Sequence, residues 1–183
     1  MSPLITGARS LGLVTAVVIA VLGTGCSGTA TTPPRPAPSV TSSKPAHMSA
    51  ADLAWIQAIT KMHQKIDKPF QATTINMTRA KMYELAASLR YCQRELSRIG
   101  APSARLRPAY DLVKQACRIY AKGARCFARA ASVSDPGGAV LAGSPAERIQ
   151  GRANACGFAG QGNGSNRLVD AEARAATIRG QFP

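Results

Sequence analysis

Five cysteines are the residues of this chain whose chemistry is most restricted. A thiol can carry a lipid through a thioether, pair with another thiol or ligate a metal ion. Cys26 stands alone near the N-terminus, whereas Cys92, Cys117, Cys126 and Cys156 lie in the second half of the chain. The different surroundings of the two groups predict different chemistry.

Cys26 follows a segment with the features of an export signal. Residues 1–10 carry one positive charge, Arg9, and residues 11–22 form an uncharged apolar run. As a helix this run would be about 18 Å long, short of the roughly 30 Å of hydrocarbon in a membrane. Small residues at 23–25 then precede Cys26. We therefore expect residues 1–25 to be a signal peptide.

The residues around Cys26 resemble the lipobox of bacterial lipoproteins. In that family a diacylglyceryl group is attached to the cysteine thiol, and the peptide bond before the cysteine is then cut. The family usually has Leu three residues before the cysteine, whereas here Leu22 stands four before and Gly23 takes that place. The resemblance implies lipidation at Cys26 and a location at the extracytoplasmic face of the cell membrane. The alternative is an ordinary secretory signal that is cut elsewhere.

The segment after Cys26 has the composition of a tether. Residues 26–48 contain five prolines among Thr and Ser, and Val40 is the only large aliphatic residue before Met48. Such a segment buries too little apolar surface to fold and populates extended states of about 3.1 Å per residue. We therefore expect a lipid-anchored linker that holds the rest of the chain away from the membrane.

The remaining four cysteines are an even number in a chain expected to be exported, where disulfides persist. At about 100° per residue, Cys117 and Cys126 point to opposite sides of one helix and cannot bond each other. In antiparallel hairpins that turn near residues 100–107 and 139, Cys92 lies level with Cys117, and Cys126 lies level with Cys156. We therefore predict the pairs Cys92–Cys117 and Cys126–Cys156. The alternative, a metal site, lacks any Cys-x-x-Cys spacing.

Candidates for catalysis are few. The two histidines, His47 and His63, and the nine acidic residues include no close pair of carboxylates and no common nucleophile or zinc-protease motif. His63 with Met62, Met77 and Met82 could supply soft-metal ligands, but methionines at helical spacing are usually core residues. We therefore expect no catalytic residue, no metal ion and no cofactor.

The formal net charge of +14 is concentrated in the middle of the chain. Residues 79–129 contain twelve basic and three acidic side chains, and helical spacing places the basic ones on two strips. Such a field attracts phospholipid head groups or acidic envelope polymers, whereas nucleic acid is not expected outside a cell. The alternative is a solvated face that follows from an Arg-rich composition. The predicted basic patch comprises Arg90, Arg94, Arg98, Lys114, Arg118, Lys122, Arg125 and Arg129.

Helical periodicity begins at Ser49 and predicts three amphipathic helices in succession. Ser49 and Asp52 would form a capping box, in which each side chain accepts a backbone N–H, and the first helix would end near Asp67. The second helix has an apolar seam from Ile75 to Ile99, in which Thr78 fills the one gap. The third begins near residue 107 and ends at residue 134.

A fourth helix is predicted to open at Ser144, Pro145 and Glu147, which form a second capping box with Pro in the first turn. Four glycines within eight residues then disfavour helix by up to about 1 kcal/mol each. We expect a break there and a further helix over residues 165–178. The alternative is one long helix whose glycines allow a close approach to a neighbour. The glycines are Gly157, Gly160, Gly162 and Gly164.

These patterns predict an all-α domain over residues 49–180. It would be an antiparallel bundle of four helices, or five if the last one breaks, stapled by two disulfides. Residues 96–102 and 106–110 resemble the inter-helix turn of small helical lipoproteins of actinobacteria, which agrees with this fold and location. We expect a non-enzymatic lipoprotein that presents a basic domain to an envelope partner or anionic surface. The alternatives are a binding protein for a small anionic or amphipathic ligand and, third, an enzyme.

Overall fold

A computed structural model describes residues 47–71 and 77–182, and within these ranges every regular element is a helix, as the sequence predicts. Cys26, the signal peptide and most of the linker lie outside the described residues. None of the described helices combines the length and apolar composition that a membrane crossing requires. The four α-helices are α1 (Ala50–Asp67), α2 (Arg79–Ile99), α3 (Arg107–Val133) and α4 (Pro145–Arg179), with short 3-10 helices at Lys68–Phe70 and Ala104–Leu106.

Only one of the two hydrogen bonds of the predicted capping box forms at the start of α1. The Ser49 hydroxyl accepts the Asp52 N–H at 3.1 Å, which satisfies one free donor of the first turn. The Asp52 carboxylate instead accepts the N–H and the hydroxyl of Ser103, at 3.1 and 2.8 Å. Because Ser103 precedes α3, Asp52 ties the start of α1 to the α2–α3 connection.

The second helix begins later than its apolar seam suggests. The Thr78 hydroxyl accepts the Lys81 N–H at 3.1 Å, so Thr78 is the N-cap of α2 and not a seam residue. Ile75 lies outside the described residues. The helix ends before Gly100, whose φ of +72° is favourable for glycine.

The predicted break in the fourth helix is wrong. α4 runs without interruption for 35 residues, from a Ser144 N-cap that accepts the Glu147 N–H at 3.2 Å. Gly157, Gly160 and Gly164 are buried within it. Their low helix propensity is outweighed because they allow α4 to approach α3 closely, which is the alternative that the sequence left open.

The apolar seams of all four helices meet in one buried cluster. Trp55 of α1 packs edge-on against Tyr110 of α3, with ring centroids 6.3 Å apart, and its indole N–H donates to the Gly100 carbonyl at 3.2 Å. Tyr120 and Phe127 are fully buried at the centre. Apolar residues of α2 and α3 lie together in this cluster: Leu85, Leu89, Leu96, Val113, Tyr120 and Phe127.

Candidate functional site

Two disulfides join α3 to its neighbours in the predicted pairing. Cys92–Cys117 links α2 to α3, and Cys126–Cys156 links α3 to α4, with Cα–Cα distances of 5.3 and 5.8 Å. Cys117 and Cys126 are nine residues apart, so they leave opposite sides of α3. Because all four sulfurs are bonded, none is a free thiolate for the metal site that was the alternative.

The face of α3 that points away from the core is basic. Arg118, Lys122, Arg125 and Arg129 follow one another at intervals of four, three and four residues, which places them along a single exposed stripe. Among the residues that the structure describes, none of these four side chains forms an ion pair. The stripe therefore carries four uncompensated positive charges.

The other members of the predicted basic patch lie in different surroundings. Lys114 pairs with Asp111 at 2.7 Å, and Arg98 pairs with Glu95, both on their own helices. Arg90 and Arg94 line a separate hollow of about 450 Å³ whose described lining belongs to α2 alone. The structure therefore brings four of the eight predicted cations together, and these four lie beside α4.

Two adjoining hollows lie between α3 and α4 on this side of the molecule. The larger, of about 800 Å³, is bordered by Arg118 and Lys122 of α3 and by Asn163, Asn166 and Arg167 of α4. The smaller, of about 510 Å³, is lined by basic, cystine and aliphatic residues: Lys122, Arg125, Cys126, Arg129, Ile149, Arg152, Ala153 and Cys156. Lys122 and Cys156 line both hollows, so we treat the two hollows together and call them the α3–α4 groove.

Glycines fix the separation of the two helices beneath this groove. A Cβ atom built at Gly160 would lie 2.6 Å from the Gly123 Cα, and one at Gly164 would lie 2.5 Å from the Tyr120 ring. A Cβ at Gly157 would lie 2.7 Å from the Phe127 ring. These distances are too short for any larger residue, so the α4 backbone is in direct contact with the backbone of α3 at Gly123 and with the Tyr120 and Phe127 rings of α3.

A second polar cluster, the His63 clamp, lies between α1 and α4. The His63 ring faces Ser165 and Asp67 through Nε2, at 2.8 and 3.1 Å, and Glu172 through Nδ1, at 3.2 Å. The Ser165 hydroxyl and the Gln161 amide donate to the two Asp67 oxygens, at 2.9 and 3.1 Å. The clamp comprises His63, Asp67, Gln161, Ser165 and Glu172.

The clamp contains the contacts of a catalytic triad, in the order Ser165, His63 and Glu172. The hydrogen bonds of these residues are nevertheless arranged differently from those of a triad. In a triad the serine hydroxyl donates to a neutral histidine, which then acts as a base. Here the Ser165 hydroxyl donates to Asp67, and each ring nitrogen of His63 faces a carboxylate. This arrangement suits an imidazolium with two N–H donors, which joins α1 to α4 through charged hydrogen bonds.

The pKa values of the clamp shift in the directions that favour this charged pair. The hydrogen bond to Asp67 raises the pKa of His63 above its ordinary value of 6.5, against the effect of partial burial. Burial opposes ionisation of Asp67, but hydrogen bonds from His63, Gln161 and Ser165 outweigh it and lower the pKa of that carboxyl. Burial, with the Asp67 charge second, raises the pKa of Tyr120 on α3.

Sequence reasoning missed the clamp because its two halves are about a hundred residues apart. The signal present in the sequence is weak. Four residues separate His63 from Asp67, and spacings of four and seven residues separate Gln161, Ser165 and Glu172, so each set shares a helix face. His63 is mostly buried between helices and not on the open surface. Within the described residues, no group of three or more His, Cys, Asp or Glu is arranged to hold a metal ion.

Comparison with known proteins does not identify the chain. No protein-family model, no curated protein and no solved structure matches the chain. The α3–α4 groove is the candidate functional site because it combines four exposed cations, which form no ion pair among the described residues, with two hollows between neighbouring helices.

Proposed function

We propose that this protein is a non-enzymatic cell-envelope lipoprotein that binds an anionic envelope component through the α3–α4 groove. The lipobox-like residues before Cys26 and the Pro-rich linker support attachment at the extracytoplasmic face of the membrane. The observation that carries the binding function is the run of exposed, unpaired cations on α3. Charges of one sign lining a concave surface raise the local concentration of oppositely charged partners.

The helical domain is proposed to be an antiparallel four-helix bundle. Two features support this topology: the α2–α3 connection spans only residues 100–106, and each disulfide joins neighbours in the chain. Short connections favour antiparallel neighbours. The role of the bundle is to hold the cations of α3 at fixed spacing.

A small-molecule site is the second candidate function. The larger hollow has a volume in the range of ligand sites, and Ile119, Ala159 and Gly160 give it apolar surface beside its cations and amides. A small anionic or amphipathic ligand would lie there with its acidic group toward Arg118 or Lys122. Such a ligand would cover the larger hollow but leave the cations that line only the smaller hollow exposed.

Membrane attachment is tested by Cys26→Ala in a bacterial host that processes lipoproteins, with Ser27→Ala as the matched neighbour. We expect Cys26→Ala to release the protein from membranes or to leave it at signal-peptide length. Ser27→Ala should keep the lipidated mature mass. Membrane retention and mature mass that are unchanged in Cys26→Ala would contradict lipid anchoring.

Binding is tested by covalent crosslinking in the native envelope from positions on the groove rim. Asn163 and Asn166 border the larger hollow, so a photo-crosslinking residue at either position reports what enters it. We expect capture of an anionic glycolipid, phospholipid or polymer. A matched crosslinker at Ala80, exposed on α2, should not capture it. Equal capture from both positions, or none from the groove, would contradict the proposed site.

A further inference from the structure

The cations of the α3–α4 groove form a line and do not converge on a point. Positions 118, 122, 125 and 129 are separated along the helix axis by about 6, 4.5 and 6 Å, a span of roughly 16 Å. A single phosphate or carboxylate can reach at most two neighbouring members of such a row. Full compensation of the row requires several negative charges at similar spacing.

Cations also lie on the opposite wall of the groove. Arg152 of α4 borders the smaller hollow together with Arg125 and Arg129 of α3. Arg167 lies at the other end, where Asp170 contacts it at 3.3 Å and compensates its charge. A ligand with charges on two sides would therefore be held from both helices, which favours a chain lying in the groove.

A flat membrane fits this surface less well. The large hydrophobic side chains that are exposed among the described residues are Tyr83, Leu141, Phe158 and Val169, and none of them lines the groove. Membrane binding there would depend on charge alone, at about 1 kcal/mol per basic residue at most. Arginine predominates, and its planar fork binds phosphate and carboxylate oxygens in pairs.

We propose that the α3–α4 groove binds a linear polyanion, whose repeated phosphate or carboxylate groups contact successive cations of α3 while the chain passes Arg152 of α4. This inference rests on the proposed function and specifies its partner as a polymer. Cys156 lines both hollows and Cys126 lines the smaller one, so their disulfide joins the two walls of the groove.

The test measures binding of the full-length protein in neutral detergent to four probes. They are long-chain inorganic polyphosphate, poly-glutamate, orthophosphate, and vesicles of mixed phosphatidylglycerol and phosphatidylcholine. The groove variant is Arg125→Gln with Arg129→Gln. Its matched control is Arg90→Gln with Arg94→Gln, which removes the same charge at the same spacing from α2. All four arginines are exposed, and thermal unfolding checks that both variants fold.

We expect at least one polymer to bind far more tightly than orthophosphate at equal phosphate or carboxylate concentration. The groove variant should lower polymer affinity about tenfold and reduce the slope of log affinity against log salt by roughly 1.4 to 1.8, as counterion release predicts for two cations. The α2 control should change both quantities much less. The polymer that binds identifies whether phosphate or carboxylate is the recognised group.

Other results would overturn the inference in distinguishable ways. Equal losses in the two variants would mean that net charge alone attracts the polymer. Vesicle binding that the polymers do not displace, or orthophosphate binding as tight as polymer binding, would exclude a polymer but keep an anionic partner. Binding to none of the probes would contradict the proposed function as well.

Discussion

The α3–α4 interface and the attachment of α1 hold helices together by different means. α3 and α4 meet through glycines and a disulfide, and a Cβ added at Gly160 would lie 2.6 Å from the Gly123 Cα. α1 has no disulfide to the rest of the domain among the described residues. It is held by apolar packing, by Asp52 at its start and by the His63 clamp at its end.

This difference shows which part of the molecule has a fixed geometry. The backbone contact between Gly160 and Gly123 has no rotamer to adjust, and the disulfide limits how far the helices separate. The clamp instead depends on the protonation of His63 and Asp67. The cations of the groove therefore lie on the fixed part of the domain, whereas we expect the attachment of α1 to depend on pH.

The largest expected effect comes from the core that supports the fixed part. Leu89 of α2 is fully buried, and its Cδ1 lies 3.1 Å from the position of a Cβ built at Gly123. Leu89→Ala should lower the free energy of unfolding by about 2 to 5 kcal/mol, because it leaves a cavity there. Chemical denaturation measures this loss. Leu141→Ala, at a side chain that is 80% exposed, should change stability by less than about 0.5 kcal/mol.

The disulfides should contribute slightly less than the core. Replacing Cys126 and Cys156 together by Ala should lower the free energy of unfolding by about 2 to 4 kcal/mol, chiefly because the unfolded chain loses a crosslink. The same change at Cys92 and Cys117 should cost a similar amount, since the sequence separations are 30 and 25 residues. Unfolding with and without reductant provides the measurement. Four free thiols in exported protein would contradict the pairing.

The elements that local chemistry determines could be predicted from the sequence. Ser49 and Ser144 mark the starts of α1 and α4 because a cap hydroxyl accepts a nearby N–H. The cysteine pairs followed from helical geometry and the order of the helices. These inferences needed only local patterns and the assumption that consecutive helices form hairpins.

The elements that depend on distant partners could not be predicted in this way. Helix propensity alone favours a break at the glycines of α4, and only the presence of Gly123, Tyr120 and Phe127 opposite them makes a continuous helix favourable. The groove likewise required both helices, since the sequence shows the stripe on α3 but not Arg152 facing it.

The glycine contact itself is tested by two substitutions on one helix. Gly160→Ala should lower the free energy of unfolding by about 1 to 3 kcal/mol, because the new methyl group would overlap the α3 backbone. Gly162→Ala has open space around its Cβ position and should raise stability by up to about 1 kcal/mol through better helix propensity. Thermal unfolding compares the two. Equal effects of the same sign would contradict the close approach.

The smallest expected effect is the pH dependence of the His63 clamp. Because the folded protein raises the pKa of His63, the clamp contributes stability that is present below about pH 6.5 and is lost as the pH rises through the raised value. Asp67 acts in the opposite sense. Because the folded protein lowers the pKa of Asp67, its ionised carboxylate contributes stability that is lost as the pH falls through the lowered pKa. Stability from the clamp should therefore be greatest between these two transitions.

His63→Gln provides the test, with His47→Gln as the matched control, since His47 is exposed and outside the clamp. Urea unfolding from about pH 5.5 to 8.5 covers the range over which a histidine with a raised pKa loses its proton. The wild-type protein and His47→Gln should lose stability as the pH rises, and His63→Gln should show a flatter profile. The charged groups facing His63 are Asp67 on α1 and Glu172 on α4, with the Tyr120 hydroxyl of α3 nearby. A profile that is equally steep in His63→Gln would mean that the attachment of α1 does not depend on this proton, and the contrast with the glycine interface would then be one of packing alone.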